Sequence, residues 1–289
     1  MFTKNCKWTE KEIDFLRNNY LIMDNKQLGD ALGRTKKAIN VKLHKLGLKR
    51  PDKYYYDKRF FQIIDTEDKA YWLGFMYADG YVCTTQTNAE VAIELTARDI
   101  SHLRKFNKNL HGNIEPIIRF RTTGNIEAKD GIASFRIYCK NMAKDLISHG
   151  CVPNKTFVIE MPELSEELLP HFVRGYFDGD GSMYKDISRN SIGFNFTSGS
   201  EKMMRGLQEY LYSQGIYAYF RKEMPNKLNF SEVHEQYRLL ITGMNNAFNF
   251  GQFLYNEATI FLDRKREKYF EALEEYNIIE RSRNRPYRR

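Results

Sequence analysis

Apolar and polar positions follow the same pattern twice along the chain. An apolar, helix-length run ends in Asp-Gly at "WLGFMYADG" (72–80) and again at "VRGYFDGDG" (173–181). Aligning Asp79 with Asp180, 101 residues apart, superimposes the downstream patterns as well. After each aspartate come a glycine, a hairpin pattern, a helix, a second hairpin pattern and another helix. In the first copy the strands are "GYVCTT" and "AEVAIELT", then "IEPIIRFRT" and "ASFRIYC". The helices are "RDISHLRKFNKNLHG" and "NMAKDLISHG". In the second copy the strands are "GSMYKDI" and "SIGFNFTS", then "IYAYFRKEM" and "QYRLLITG". Its helices are "SEKMMRGLQEYLYSQG" and "NNAFNFGQFLYNE". Two halves of about 100 residues, each mixing helices and strands, are implied. The alternation in "IIRFR" and "YFRKE" predicts basic residues on one face and apolar ones on the other. Arg119 and Arg121 share a face. Arg221 lies in the matching strand, with Lys222 beside it on the opposite face.

Ahead of the repeat, "WTEKEIDFLRNNYLIMDNKQLGDALGRTKKAINVKLHKLGLKR" (8–50) predicts three short helices. Thr9 with Glu12 three residues on forms a capping box. Asp24 or Asn25 caps the second helix, which ends at Gly33. Thr35 caps the third, which ends at Gly47. At 100° per residue, Ile39, Leu43 and Leu46 share the buried face of the third helix. Lys37, Val41, His44 and Lys45 fall opposite, with Asn40 at the margin. Such a face suits a helix in a DNA major groove, with lysines on phosphates and Asn40 or Val41 near base edges. A linker, 51–66, comes next and contains Pro51.

Charge sharpens this division. Of a net +8, residues 1–50 hold 12 Lys/Arg against 5 Asp/Glu, and residues 281–289 hold 5 Arg and no acid. Both ends suit a polyanion, while the stretch between them is slightly acidic. Any nucleic-acid surface there requires its basic residues to be sorted onto one face. No apolar run reaches the ~18 residues of a membrane helix. The start of the chain is polar and lacks the apolar core of a signal peptide, so the expected compartment is the cytoplasm. Cys6, Cys83, Cys139 and Cys151 form no C-x-x-C pair and read as reduced thiols.

The Asp-Gly motifs carry the candidate chemistry. Gly74 and Ala78 are four apart, as are Gly175 and Gly179. Small residues at that spacing let two helices meet backbone to backbone, so the natural partner of each is the other. Asp79 and Asp180 would then meet at a pseudo-twofold axis. An aspartate at a helix C-terminus is disfavoured by the helix dipole, and two together more so. A cation resolves the conflict, and hard oxygen ligands suit Mg²⁺.

The two motifs at this spacing resemble those of single-chain LAGLIDADG homing endonucleases, over roughly residues 65–275. The front segment resembles Myb/SANT-like helix-turn-helix modules, through Trp8 and "LGRTKKAINVKLHKLGL". The resemblance implies an α+β fold: two pseudo-symmetric αββαββα halves, 67–162 and 163–275, forming a DNA-binding saddle. The three-helix module at 1–50 precedes them, and a basic tail, 276–289, ends the chain. It implies Asp79 and Asp180 as metal-binding acids, with two or more Mg²⁺ ions, and the carbonyls of Ala78 and Gly179 as further ligands. It also implies a lysine near each metal: Lys155, 76 residues after Asp79, and Lys265, 85 after Asp180. Motif one departs from the family pattern at Tyr77, where motif two has Asp178. The implied activity is a Mg²⁺-dependent double-strand break at a long DNA site, made by a monomer. The alternative on the same fold is a binder without cleavage, either a regulator or a maturase acting on intron RNA.

Overall fold

The computed structural model describes residues 7–120, 131–186, 191–224 and 235–283. The chain divides into two compact units, Met1–Tyr55 and Tyr56–Arg289.

The first unit is three helices: α1 (Glu10–Asn19), α2 (Asn25–Leu32) and α3 (Lys36–Lys45). Thr9 and Glu12 form the capping box on α1. Asp24 caps α2, and Gly33 ends it in the left-handed conformation at φ 61°. Leu16, Leu28, Ile39 and Leu43 make the core, with Trp8 packed at its edge. Arg34 is buried between Glu12, at 3.0 Å, and the Trp8 ring. That hydrogen bond leads the lowering of the Glu12 pKa below the usual carboxylate range.

The second unit holds both repeats. The first is α4 (Glu67–Ala78), β1 (Gly80–Thr84), β2 (Ala89–Thr96), α5 (Ile100–Asn109), β3 (Ile117–Arg119), β4 (Ile132–Tyr138) and α6 (Lys140–Ser148). The second is α7 (Leu169–Asp180), β5 (Ser182–Asp186), β6 (Ser191–Ser198), α8 (Glu201–Ser213), β7 (Tyr219–Glu223), β8 (Gln236–Ile241) and α9 (Met244–Tyr255). A further helix, α10 (Asp263–Arg283), closes the described chain. The αββαββα order is thus present twice. Each half has one antiparallel four-stranded sheet, in the orders β1-β2-β4-β3 and β5-β6-β8-β7. Val91, Ile93, Phe135 and Ile137 face the helices in the first sheet; Phe194, Phe196, Leu239 and Ile241 do so in the second. The opposite face of each sheet carries the polar residues.

The alternation expected of "IIRFR" does not hold in β3. Ile117, Ile118 and Arg119 are all exposed. β3 is a three-residue edge strand paired only with β4, and the helical cover is centred on β1, β2 and β4. Arg121 lies outside the described residues.

α4 and α7 pack against each other along the seam between the halves. α7 is also latched through Arg174. Arg174 is 2% exposed, donates to the Ile260 carbonyl at 2.8 Å and pairs with Glu67 of α4 at 2.5 Å. Glu67 accepts in turn from the Thr259 amide at 3.0 Å. Arg174→Met leaves the buried Ile260 carbonyl without its donor and takes the ion-pair partner from Glu67, and should destabilise the protein by about 3 kcal/mol. Adding Glu67→Gln should recover part of that loss. Thermal melting of the single and double variants measures both effects.

Candidate active site

The seam is built by the small residues. A Cβ added at Gly74 would lie 2.0 Å from the Phe172 carbonyl oxygen, and one at Gly175 1.9 Å from that of Tyr71. The backbones are therefore in direct contact, as the spacing predicts. They stay close to the helix ends: a Cβ at Gly179 would lie 2.2 Å from the Ala78 methyl and 3.3 Å from Asp79 Oδ2. Asp79 comes directly after the last residue of α4, and Asp180 is the last residue of α7.

The environment of the two acids is hostile to charge. Burial raises the Asp79 pKa, and Lys265, Lys155 and Arg264 oppose it. Burial, and then Asp79 itself, raise the Asp180 pKa to about 6. Asp180 thus feels the Asp79 charge across the seam. Among the described residues no cluster of three or more His, Cys, Asp or Glu exists. The donor set is two carboxylates and main-chain carbonyls, all hard oxygens. Such a set fits Mg²⁺, and a divalent cation would relieve the paired charge.

Both lysines come to these helix ends. Lys155 Nζ donates to the carbonyls of Ala78, at 3.0 Å, and Gly80, at 2.7 Å. Lys265 Nζ donates to those of Phe177, at 2.7 Å, Gly179, at 3.2 Å, and Gly181. Cations here offset the negative end of each helix. An ammonium has three N–H donors. Lys265 has an acceptor for each, whereas Lys155 keeps one for another partner. Burial lowers the Lys265 pKa to about 8, against the pull of Asp178, Asp79 and Asp180. The carbonyls of Ala78 and Gly179 therefore already accept from lysines, and each retains a second lone pair.

Three features of the site were missed in the sequence. Asp178 is fully buried and accepts from Tyr71 and Tyr255 hydroxyls, both at 2.8 Å, and from the Leu262 amide at 2.7 Å. His102 sits beyond Tyr71, at 3.0 Å, and burial depresses its pKa to about 3. Arg264 grips Asp99 with its Nε at 2.9 and 3.1 Å. One signal was available: an aspartate inside an apolar helix needs buried donors.

The sheet faces away from the helices are not uniformly basic. On the first, Arg136 is held between Glu90 and Glu94, with the Tyr81 hydroxyl on Glu90 at 2.9 Å. On the second, Glu223 takes both Arg221 and Arg238 at 3.2 Å. Lys222 points to the other face, as expected, and pairs with Glu235 at 2.7 Å. The slight acidic excess of this stretch supplies glutamate partners for these arginines, across the strands for Arg136 and Arg238 and along the same strand for Arg221. Arg119 is exposed at the sheet edge. In α3, Lys37, Val41, His44 and Lys45 are exposed. Asn40 is exposed too, but its Oδ1 accepts from Asn25.

Residues 167–253 match the LAGLIDADG-like domain family. The matched stretch runs from just before α7 into α9 and contains Asp178 and Asp180. Over 41 residues the chain is 49% identical to the uncharacterized protein Lin2600 of Listeria innocua serovar 6a, a match spanning 14% of this chain and 18% of that protein. Among solved structures, the chain is similar to the LAGLIDADG homing endonuclease I-GzeII in complex with its DNA target. The TM-score is 0.48 at 14% identity, covering 75% of this chain and 93% of that one. It is also similar to the LAGLIDADG meganuclease I-AabMI bound to uncleaved DNA. There the TM-score is 0.45 at 12% identity, covering 73% and 91%. Among the described residues no helix is long and apolar enough to cross a membrane.

Proposed function

We propose that this protein is a site-specific, Mg²⁺-dependent DNA endonuclease acting as a monomer with two pseudo-equivalent acids. The observation that carries the reading is the meeting of Asp79, half-buried, and Asp180 at two convergent helix ends, where Asp79 adds to the cost of ionising Asp180. Two acids so placed are poor structural elements and good cation ligands. Asp79 and Asp180, with the Ala78 and Gly179 carbonyls, would hold the ions. Bound there, Mg²⁺ supplies Lewis acidity at phosphate and a water of lowered pKa.

The protein's own groups do the rest. Lys155 and Lys265 fix the carbonyl turns that aim the two acids. The donor that Lys155 keeps can reach a phosphate oxygen and offset the charge that grows on it. Arg119, Arg221 and Arg238 on the sheets suit guanine edges, and Glu90 and Glu94 suit the cytosine amino group. Lys37, His44 and Lys45 of α3 suit phosphates, with Val41 and Asn40 nearest the bases.

A randomised duplex pool incubated with the protein and Mg²⁺ tests the reading. Double-strand ends at one long recurrent sequence, abolished by EDTA, are expected. Bound but uncut DNA in Mg²⁺ and in Mn²⁺ would leave a binder and overturn it. The role of α3 has its own measurement. Replacing Lys37 and Lys45 by Ala should lower the slope of log K against log salt by about 1.8, two phosphate contacts' worth. An unchanged slope would remove α3 from the interface.

A further inference from the structure

The residue two positions before each terminal acid holds the segment that delivers a lysine. In the second half this residue is Asp178. Its Oδ2 accepts from the Leu262 amide at 2.7 Å. Leu262 lies three residues before Lys265, and its carbonyl accepts from the Lys265 amide at 3.0 Å and the Arg266 amide at 3.2 Å, so this bond fixes the first turn of α10. In the first half the residue is Tyr77. Its hydroxyl donates to the His149 carbonyl, at the start of the segment that reaches Lys155. The neighbouring Gly150 leaves it room: φ is +91°, and a Cβ there would lie 2.2 Å from the Tyr77 oxygen. Cys151 adds a contact from the same segment to the Met76 carbonyl at 3.5 Å.

The two ties occupy equivalent positions and have opposite polarity. Tyr77 donates to a main-chain carbonyl, and Asp178 accepts from a main-chain amide. The departure of motif one from motif two is thus the same task done with reversed hydrogen-bond direction. We propose that Tyr77 and Asp178 are the positioning residues of the two strand-cutting sites, each fixing the backbone that brings one lysine to its helix end. This rests on the endonuclease reading and assigns each strand its own tie. Both side chains are buried. Each acts through where it places Lys155 or Lys265. A displacement of about 1 Å at a reacting centre costs up to a hundredfold in rate, so loosening one tie should slow one strand.

The test uses the full protein and a duplex selected by it, labelled separately on each strand. Tyr77→Phe removes one hydroxyl and should slow one strand about tenfold or more, leaving the other within about twofold. Asp178→Leu removes every acceptor and should slow the opposite strand. Asp178→Asn keeps a carbonyl for the Leu262 amide and should restore the ratio. Tyr255→Phe takes the donor from Asp178 Oδ1 and leaves Oδ2, which holds the Leu262 amide, so it should lower the melting temperature and leave the strand ratio unchanged. Equal slowing of both strands by Tyr77→Phe, or no slowing, overturns the proposal. So does a strand ratio in Tyr255→Phe that shifts as in Asp178→Leu. If Asp178→Leu does not fold, Tyr77→Phe decides alone. A parent protein that binds the duplex and cuts neither strand overturns the endonuclease reading instead, and this proposal with it.

Discussion

Asp180→Asn protein should melt at a higher temperature than the parent at pH 7.5 and no longer linearise its target duplex. Burial and the nearby Asp79 lift the Asp180 pKa to about 6, from 3.8. Between those two values the folded chain binds a proton that the unfolded chain does not. Stability therefore falls as pH rises through this window, and above pH 6 the full penalty is present. Asp180 is exposed on its solvent side, so water screens part of the penalty and the loss is smaller than the shift alone implies. Asparagine keeps the shape and removes the charge, so the variant recovers that energy and its stability changes less between pH 4 and 6. Asp79→Asn should act in the same direction, because it also takes away the charge that burdens Asp180. Activity should move oppositely. On the endonuclease reading, removing one carboxylate takes a principal ligand from the cation, and linear product should fall about a hundredfold or more in either variant. Nicked product persists where the strands are cut independently. Binding measured in Ca²⁺ should survive, since the sheet faces and α3 are untouched. A variant that melts lower and cuts at the parental rate would make Asp180 a structural turn residue.

The acids were legible because a repeat exposes them. One Asp-Gly after a helix is an ordinary turn, while two at matched positions imply a shared axis. The sheets were legible for a similar reason, since hairpin strands pair with near neighbours. The α3 face and its caps emerged from local periodicity alone. What escaped the sequence depends on partners far along the chain. Arg174 meets the Ile260 carbonyl and Asp178 meets the Leu262 amide, each more than 80 residues away. The pairing of Arg136 with Glu90 and Glu94 requires the register of β2 on β4, which no single strand states. The lysines show the same limit. Their unequal distances from the acids argue against equivalence, yet each reaches carbonyls on either side of its acid: Ala78 and Gly80 for Lys155, Gly179 and Gly181 for Lys265. Equivalence there is spatial. One lysine arrives on a single 3-10 turn, Lys155–Phe157, and the other on the first turn of a long helix.

Gly175→Ala should give little or no folded protein, although alanine is the better helix former. In an exposed helix the exchange would gain up to about 1 kcal/mol. Here the new methyl would sit 1.9 Å from the Tyr71 carbonyl oxygen and 2.9 Å from the Phe75 nitrogen. Both are backbone atoms of α4, so no side chain can rotate away, and the helices themselves must part. Parting them opens the seam lined by Phe75, Phe172 and Tyr176, all buried. The lost contacts and the void together exceed about 4 kcal/mol, a large share of what holds an ordinary domain together. Gly74→Ala should behave alike, because its methyl would lie 2.0 Å from the Phe172 carbonyl oxygen. Gly206→Ala on α8 is the control. Its methyl meets Met161 Cγ at 2.8 Å and Cβ at 3.2 Å. One partly exposed side chain must therefore shift, rather than two helices part, and the loss should be smaller than at Gly175. Soluble yield and thermal melting of the three variants separate the cases. A Gly175→Ala protein melting within about 2 °C of the parent would mean that the helices are not in backbone contact. The convergence of Asp79 and Asp180 would then lose its structural basis.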